Sequence, residues 1–191
     1  MDKYSDILRY MGHRGKADEQ LEMLISSCLD KFGAVCEPRH VKLQLPCTVT
    51  DDSVTMEMLE IKSKALAKRL KNCNQVYLFA ASLGAAVDRL IGQRTKMDSA
   101  EALCLQACAA ARIEEYCDGI EKELLDELAR HGLHARPRFS PGYADFDIAH
   151  QSDILRILQT PKRIGLTETK THMLTPLKSV TALIGVERKE A

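Results

Sequence analysis

The chain has 191 residues, with 27 lysines and arginines balancing 27 aspartates and glutamates. Zero net charge excludes a general polyanion binder, because affinity for a phosphate backbone needs a basic excess or a concentrated basic face. The length suits one domain with a sizeable core, and the seven cysteines, an odd count without a C-x-x-C pair, point to free thiols and a cytoplasmic setting.

The first residues show neither a basic n-region nor an apolar h-region, and no apolar run approaches a membrane span. Neither a nucleic acid nor a membrane is expected as partner. Residues 3–12 read as a short helix ending at Gly12, with Ile7, Leu8 and Met11 on one side. Leu21, Leu24, Ile25, Cys28, Leu29 and Phe32 then recur as the stripe of a core-facing helix, with Asp18 as N-cap and Gly33 as the C′ residue. The period changes at Val41, Leu43 and Leu45, which alternate as a half-buried strand stopped by Pro46.

Residues 47–50 are strand-like, residues 51–53 form a turn, and Val54, Met56 and Met58 alternate for one further short strand. Ser63 caps a helix reaching about Lys71. The basic run Lys62, Lys64, Lys68, Arg69 and Lys71 has the near-helical spacing of a solvated face. Residues 75–82 form a near-continuous apolar run, as a central strand does, and Leu83-Gly84-Ala85-Ala86 opens another helix. A long helix is expected over residues 99–130, capped by Asp98 and ended by Gly132, with Gly119 a possible site of bending. A helix over residues 148–159 follows, capped by Asp147 and halted before Pro161. The tail reads as strands over residues 163–169, 172–175 and 178–186. No repeat or linker interrupts the chain, so residues 1–191 read as one α+β domain.

Three candidate chemistries fail on spacing. Cys104 and Cys108 share a helix face and His131 and His134 are three apart, but neither pair has the second half of a zinc site. Small buried cysteines on an alanine-rich helix explain the first pair, and no metal site is expected. Residues 82–86 follow a strand but lack G-x-G-x-x-G, which rejects a Rossmann reading. No G-x-S-x-G nucleophile motif occurs.

The informative stretch is Arg138-Phe139-Ser140-Pro141-Gly142-Tyr143. Pro141 fixes φ for position i+1 of a tight turn, and Gly142 can take the positive φ of position i+2. Arg138 offers a planar fork of donors and Tyr143 a ring with a polar tip. On these residues alone the stretch also reads as a surface turn, with Arg138 ion-paired to Asp145 or Asp147. Downstream lie Leu166-Thr167-Glu168-Thr169 and then Pro176 and Lys178-Ser179-Val180.

R-x-S-P-G-Y followed in order by these two stretches resembles the activation (reactivation) domain of vitamin B12-dependent methionine synthase. The match is strongest over about residues 136–186. It extends loosely upstream through residues 8–12 and 79–84, as in a short, free-standing form. The resemblance implies a single α+β domain, mostly antiparallel sheet packed with several helices. It implies an S-adenosylmethionine site at Arg138, Ser140, Gly142 and Tyr143, with Arg138 suited to the ligand's carboxylate.

The family also supplies an acidic residue from upstream. Glu114 and Glu115 are the candidates, Glu114 nearer the pattern, and both also read as plain helix glutamates. Glu168 reads equally as an edge-strand carboxylate or as a group near the ligand, and the 178–180 stretch as the start of that strand's partner. No role carries over to residues 144–147, where the chain departs from the family.

The implied function is reactivation. S-adenosylmethionine methylates cob(II)alamin reductively on a separate methionine synthase or corrinoid methyltransferase module, with electrons from a flavodoxin-type donor. Cobalamin belongs to the partner, since the D-x-H-x-x-G pattern of corrinoid modules is absent. Displacement at a sulfonium methyl needs no general acid or base, so no catalytic residue is named. The alternatives are an S-adenosylmethionine-binding accessory or sensor module without methyl transfer, and a purely structural partner protein.

Overall fold

The architecture follows from strand β5 (Gln75–Ser82), an apolar strand buried on both faces. In the computed structural model, which describes residues 3–57 and 59–188, Tyr77, Phe79 and Ala81 enter one apolar cluster. Val76, Leu78 and Ala80 enter a second on the opposite face. Side chains alternate across a strand, so one uniformly apolar segment supplies the centre of a three-layer structure.

β5 pairs antiparallel with β1 (Arg39–Pro46) on one side and with β9 (Ser179–Arg188) on the other. A short strand, β6 (Leu133–Ala135), pairs with the outer edge of β9 and completes the order β1-β5-β9-β6. The first face is covered by helices α1 (Lys3–Tyr10), α2 (Glu19–Gly33), α4 (Ala85–Thr95) and α5 (Ser99–Ala129). On α5 the buried carboxylate of Glu101 meets Lys31 of α2 at 2.5 Å and Arg94 of α4 at 3.5 Å, tying three helices at one point.

The second face carries α3 (Lys64–Arg69), α6 (Gln151–Leu158), α7 (Thr160–Ile164) and an antiparallel sheet of β2 (Thr48–Val49), β3 (Ser53–Met56) and β4 (Leu59–Lys62). A third sheet pairs β7 (Thr167–Glu168) with β8 (Leu174–Thr175). The chain is an α+β domain with antiparallel sheets, as expected.

Several expected boundaries hold. Asp18, Ser63 and Asp98 cap α2, α3 and α5 by accepting backbone N–H bonds. α5 passes Gly119 without interruption. Gly33 is the last helical residue of α2 rather than its C′ residue, and Ala34 ends the helix in right-handed geometry.

Other expectations are corrected. A turn at Glu57, with φ of 45°, adds β4 where one strand was expected; Met58 lies outside the described residues. The helix after Asp147 starts as a 3₁₀ turn, Ile148–His150, before α6. Pro161 does not end the helical region. Gln159 turns left-handed, and α7 restarts with Pro161 in its first turn, where a missing N–H costs nothing. α7 thus takes Arg163 and Ile164 from the strand expected over residues 163–169. β9 pairs with β5 and β6, not with β7, whose partner is β8.

One position on β9 shows how tightly the second layer packs. A Cβ on Gly185 would stand 2.5 Å from Leu70 Cδ2 and 2.7 Å from Cys73 Sγ. Overpacking of this kind costs about 1–3 kcal/mol. Gly185→Ala is therefore expected to lower the urea midpoint with an unchanged m-value. A wild-type midpoint would show that Leu70 swings clear at no cost.

Candidate functional site

The segment carrying Arg138 is stitched along the free edge of β9. After β6, the Arg136 N–H donates to the Gly185 carbonyl at 2.8 Å, and Phe139 exchanges two backbone bonds of 2.9 Å with Leu183. The Phe139 ring packs toward the second layer, stacked on Phe146 with centroids 6.1 Å apart. Arg69, at the end of α3, lies over the same ring at 5.6 Å.

Arg138 turns the other way, onto α5. Its Nη1 donates to Asp118 Oδ1 and Glu121 Oε2, both at 2.7 Å, and its Nη2 donates to Glu114 Oε2 at 2.8 Å. The second oxygen of Glu121 accepts the Arg138 backbone N–H at 3.3 Å. Glu114, Asp118 and Glu121 recur at i, i+4 and i+7, so they share one face of α5. Burial disfavours the guanidinium's charge, but the hydrogen bonds it donates to Asp118 and Glu121 outweigh that and hold its pKa above the ordinary value. The ion pairs expected with Asp145 or Asp147 are not formed.

Instead, Asp145 ties the loop to the start of α3. Its carboxylate accepts the Ser63 hydroxyl at 2.6 Å and the N–H groups of Lys64 and Ala65 at 2.8 and 3.1 Å. Asp147 caps the 3₁₀ turn through the Ala149 N–H. Over residues 142–146 the chain reverses tightly: Gly142 has φ of +89°, its N–H donates to the Phe146 carbonyl at 2.7 Å, and the Phe146 N–H donates to the Tyr143 carbonyl. That φ, and the approach of Ile148 to within 3.1 Å of where a Cβ would sit, explain the glycine.

A cleft of about 510 Å³ opens beside the Arg138–Glu114 pair, a volume within the range of small-molecule sites. Arg69, Glu114 and Arg138 provide its charged groups, and Ser140, Gln151, Ser179 and Thr181 its uncharged polar ones. Tyr143 stands at the wall with 66% of its surface exposed. Gln151 is buried and accepts the Thr181 hydroxyl at 2.7 Å, which fixes α6 to β9 at the cleft. Cys117, on the same stretch of α5, is fully buried, and burial pushes its thiol up to about 12, so it offers no thiolate.

Of the residues expected at a site, Arg138, Ser140, Tyr143 and Glu114 line this one cleft. Gly142 shapes the turn without lining it. Glu168 lies elsewhere: its Oε2 is 3.0 Å from His172 Nδ1, and it borders a different groove with Ser152 and Leu155. Ser152 approaches the same His172 nitrogen at 3.2 Å, so Ser152, His172 and Glu168 do not form a relay through the two ring nitrogens.

Sequence reading missed Arg69, Gln151, Thr181 and the cleft role of Ser179 and Val180, which reach the site only through packing. It also missed Asp118 and Glu121, although the sequence held a signal for them. Like charges four apart on a helix repel, so three carboxylates on one face call for a cation.

No protein-family model matches the chain, and no curated protein matches it by sequence. By structure it is similar to the MetH reactivation domain, crystallised bound to AdoHcy. The TM-score is 0.74 over 99% of this chain and 75% of that one, at 16% sequence identity. The similarity shows that the two share a fold, and the fold expected from the motif resemblance is the one found.

The Asp145 anchor makes a pH prediction. Hydrogen bonds from the Ser63 hydroxyl and the Ala65 N–H hold its carboxyl below the ordinary value of 3.8. A depressed pKa contributes stability that is fully present above the unfolded value and is lost as pH falls through the folded one. Asp145→Asn is therefore expected to be less stable than wild type at neutral pH, with the difference shrinking below about pH 4. Urea unfolding across that range checks it; a difference that does not shrink as pH falls below that value would sink the assignment.

Proposed function

We propose that the cleft binds S-adenosylmethionine and presents its methyl group to a corrinoid carried by a module outside these 191 residues. One observation carries the reading: the Arg138–Glu114 ion pair faces the cleft with its two charges side by side. The amino-acid end of S-adenosylmethionine is a zwitterion. Its ammonium complements Glu114 and its carboxylate complements Nη2 of Arg138, so the ligand extends an ion pair already present. The exposed Tyr143 ring adds a π-face suited to adenine or to the sulfonium. Ser140 and Gln151 add polar groups able to fix orientation.

A zwitterion-binding pair and an aromatic wall are sufficient for this chemistry. The methyl group leaves a sulfonium, so the chain's residues need only bind the donor, orient it and keep water away. The fold's likeness to a domain that binds AdoHcy supports the ligand class. We assign the chain to support of reductive methylation of cob(II)alamin, on a methionine synthase or another corrinoid methyltransferase, with a flavodoxin-type protein as electron source. The corrinoid supplies the methyl-accepting cobalt when the partner docks, and Tyr143 marks the solvent-open side of the cleft.

Calorimetric titration with S-adenosylmethionine tests the reading. Wild type is expected to bind, and ligand at 100 times its Kd adds about 2.7 kcal/mol to stability. Tyr143→Ala, at an exposed position, is expected to weaken binding about ten-fold, the effect of an aromatic contact. Arg138→Ala is expected to weaken it about ten- to one-hundred-fold, as for a lost charged hydrogen bond. No heat and no thermal shift in wild type would overturn the ligand. Binding without reactivation of corrinoid methyltransferases would leave an accessory or sensor module.

A further inference from the structure

A second cavity, of about 430 Å³, lies among the helices of the first layer, between α1, α2 and α5. Protein interiors are close-packed, with few voids larger than a water molecule. A space of this size departs from that packing and falls within the range of small-molecule sites. Its walls are apolar. Ile7 of α1, Phe32 of α2, and Cys108 and Ala111 of α5 are buried, and Leu29 is partly so. No residue lines both this cavity and the cleft at Arg138.

Among the described residues, Arg112 is the one charged group in the lining. Its Nη1 donates to Glu115 at 2.9 Å, an i, i+3 pair on the surface of α5 in which the Glu115 side chain is 49% exposed. Exposed pairs of this kind contribute little. A guanidinium has five donors, so Arg112 can bond a further carboxylate, or exchange the one it has, at small cost.

We propose that this cavity binds an apolar monocarboxylate such as a medium-chain fatty acid. The hydrocarbon body lies among Ile7, Leu29 and Phe32, and the carboxylate meets Arg112. A small polar anion would leave the apolar walls without contacts, and a neutral hydrocarbon would leave the guanidinium to water. A molecule with one apolar body and one anionic end uses both parts of the lining.

Calorimetric titration of the full chain with decanoate, kept below its micellar concentration, tests the inference beside hexanoate, acetate and decanol. Decanoate is expected to bind one to one. Each methylene removed from it is expected to weaken binding about four-fold, so that acetate does not bind. Decanol, which keeps the body and lacks the charge, is expected to bind about ten-fold more weakly than decanoate. Arg112→Gln, at a partly exposed position compatible with folding, is expected to weaken decanoate about ten-fold and leave decanol unchanged.

Cys36 gives a second readout. It lines the cavity and is partly exposed, whereas the other six cysteines are buried. Its alkylation by iodoacetamide is expected to slow when decanoate is bound. A wild type that binds no decanoate and shows no protection of Cys36 overturns the inference. So does decanol binding as tightly as decanoate, or an Arg112→Gln variant that loses both alike, the signature of a merely loosened helix. The S-adenosylmethionine reading stands or falls separately, on the titration of the cleft.

Discussion

The cleft depends on strand β9 being paired along both edges. Its inner edge forms the long ladder with β5, and its outer edge receives β6, then the Arg136 N–H, then the two-way bridge of Phe139 with Leu183. A segment held in extended register sends consecutive side chains to opposite faces. Phe139 therefore enters the second layer against Phe146, and Arg138 is aimed at α5 in the first. Residues 179–181 of the same strand also line the cleft, so one strand both anchors the Arg138 segment and contributes to the wall. Each backbone bond in that edge is worth only about 1 kcal/mol net, but together they leave Arg138 one place to go.

The interaction there is built against a cost. Glu114, Asp118 and Glu121 repel one another along α5, and the helix tolerates them because Arg138 lies among them. The guanidinium is partly buried, and an isolated charge there would be expensive. Each side of the cluster removes the other's penalty. The same groups thus dock residues 133–139 on α5 and leave the Arg138–Glu114 pair open to the cleft. Asp145 does the corresponding work for the second layer, holding the turn to α3 and so keeping Arg69 near Phe139.

What the sequence made legible was what local physics controls. The apolar run at residues 75–82 is the central strand with its bounds as read, because a segment buried on both faces has one reading. Asp18, Ser63 and Asp98 were visible as caps because their effect lies within one helical turn. Arg138, Ser140 and Tyr143 stood out through turn chemistry and motif, and the cleft gathers all three. The failures share a different cause. Residues 160–164 carry mixed propensity, and the left-handed Gln159 together with Pro161 in a first turn, rather than periodicity, makes them helical. A three-residue strand such as β6 holds no period to detect, and the partners of β7 and β8, both expected as strands, are set by topology. Gln151 and Thr181 are thirty residues apart and meet only because α6 packs on β9.

The motif named the groups at the site without naming their partners, and the partners change the chemistry. A loop arginine read alone is a carboxylate receptor, and a free anion would suit it. Here both terminal nitrogens are already engaged by carboxylates, and Glu114 lines the cleft beside Arg138. A simple anion would have to face that carboxylate, whereas a zwitterion meets an opposite charge at both of its ends. The ligand proposed for the cleft, with an ammonium beside a carboxylate, suits that arrangement better than a simple anion would.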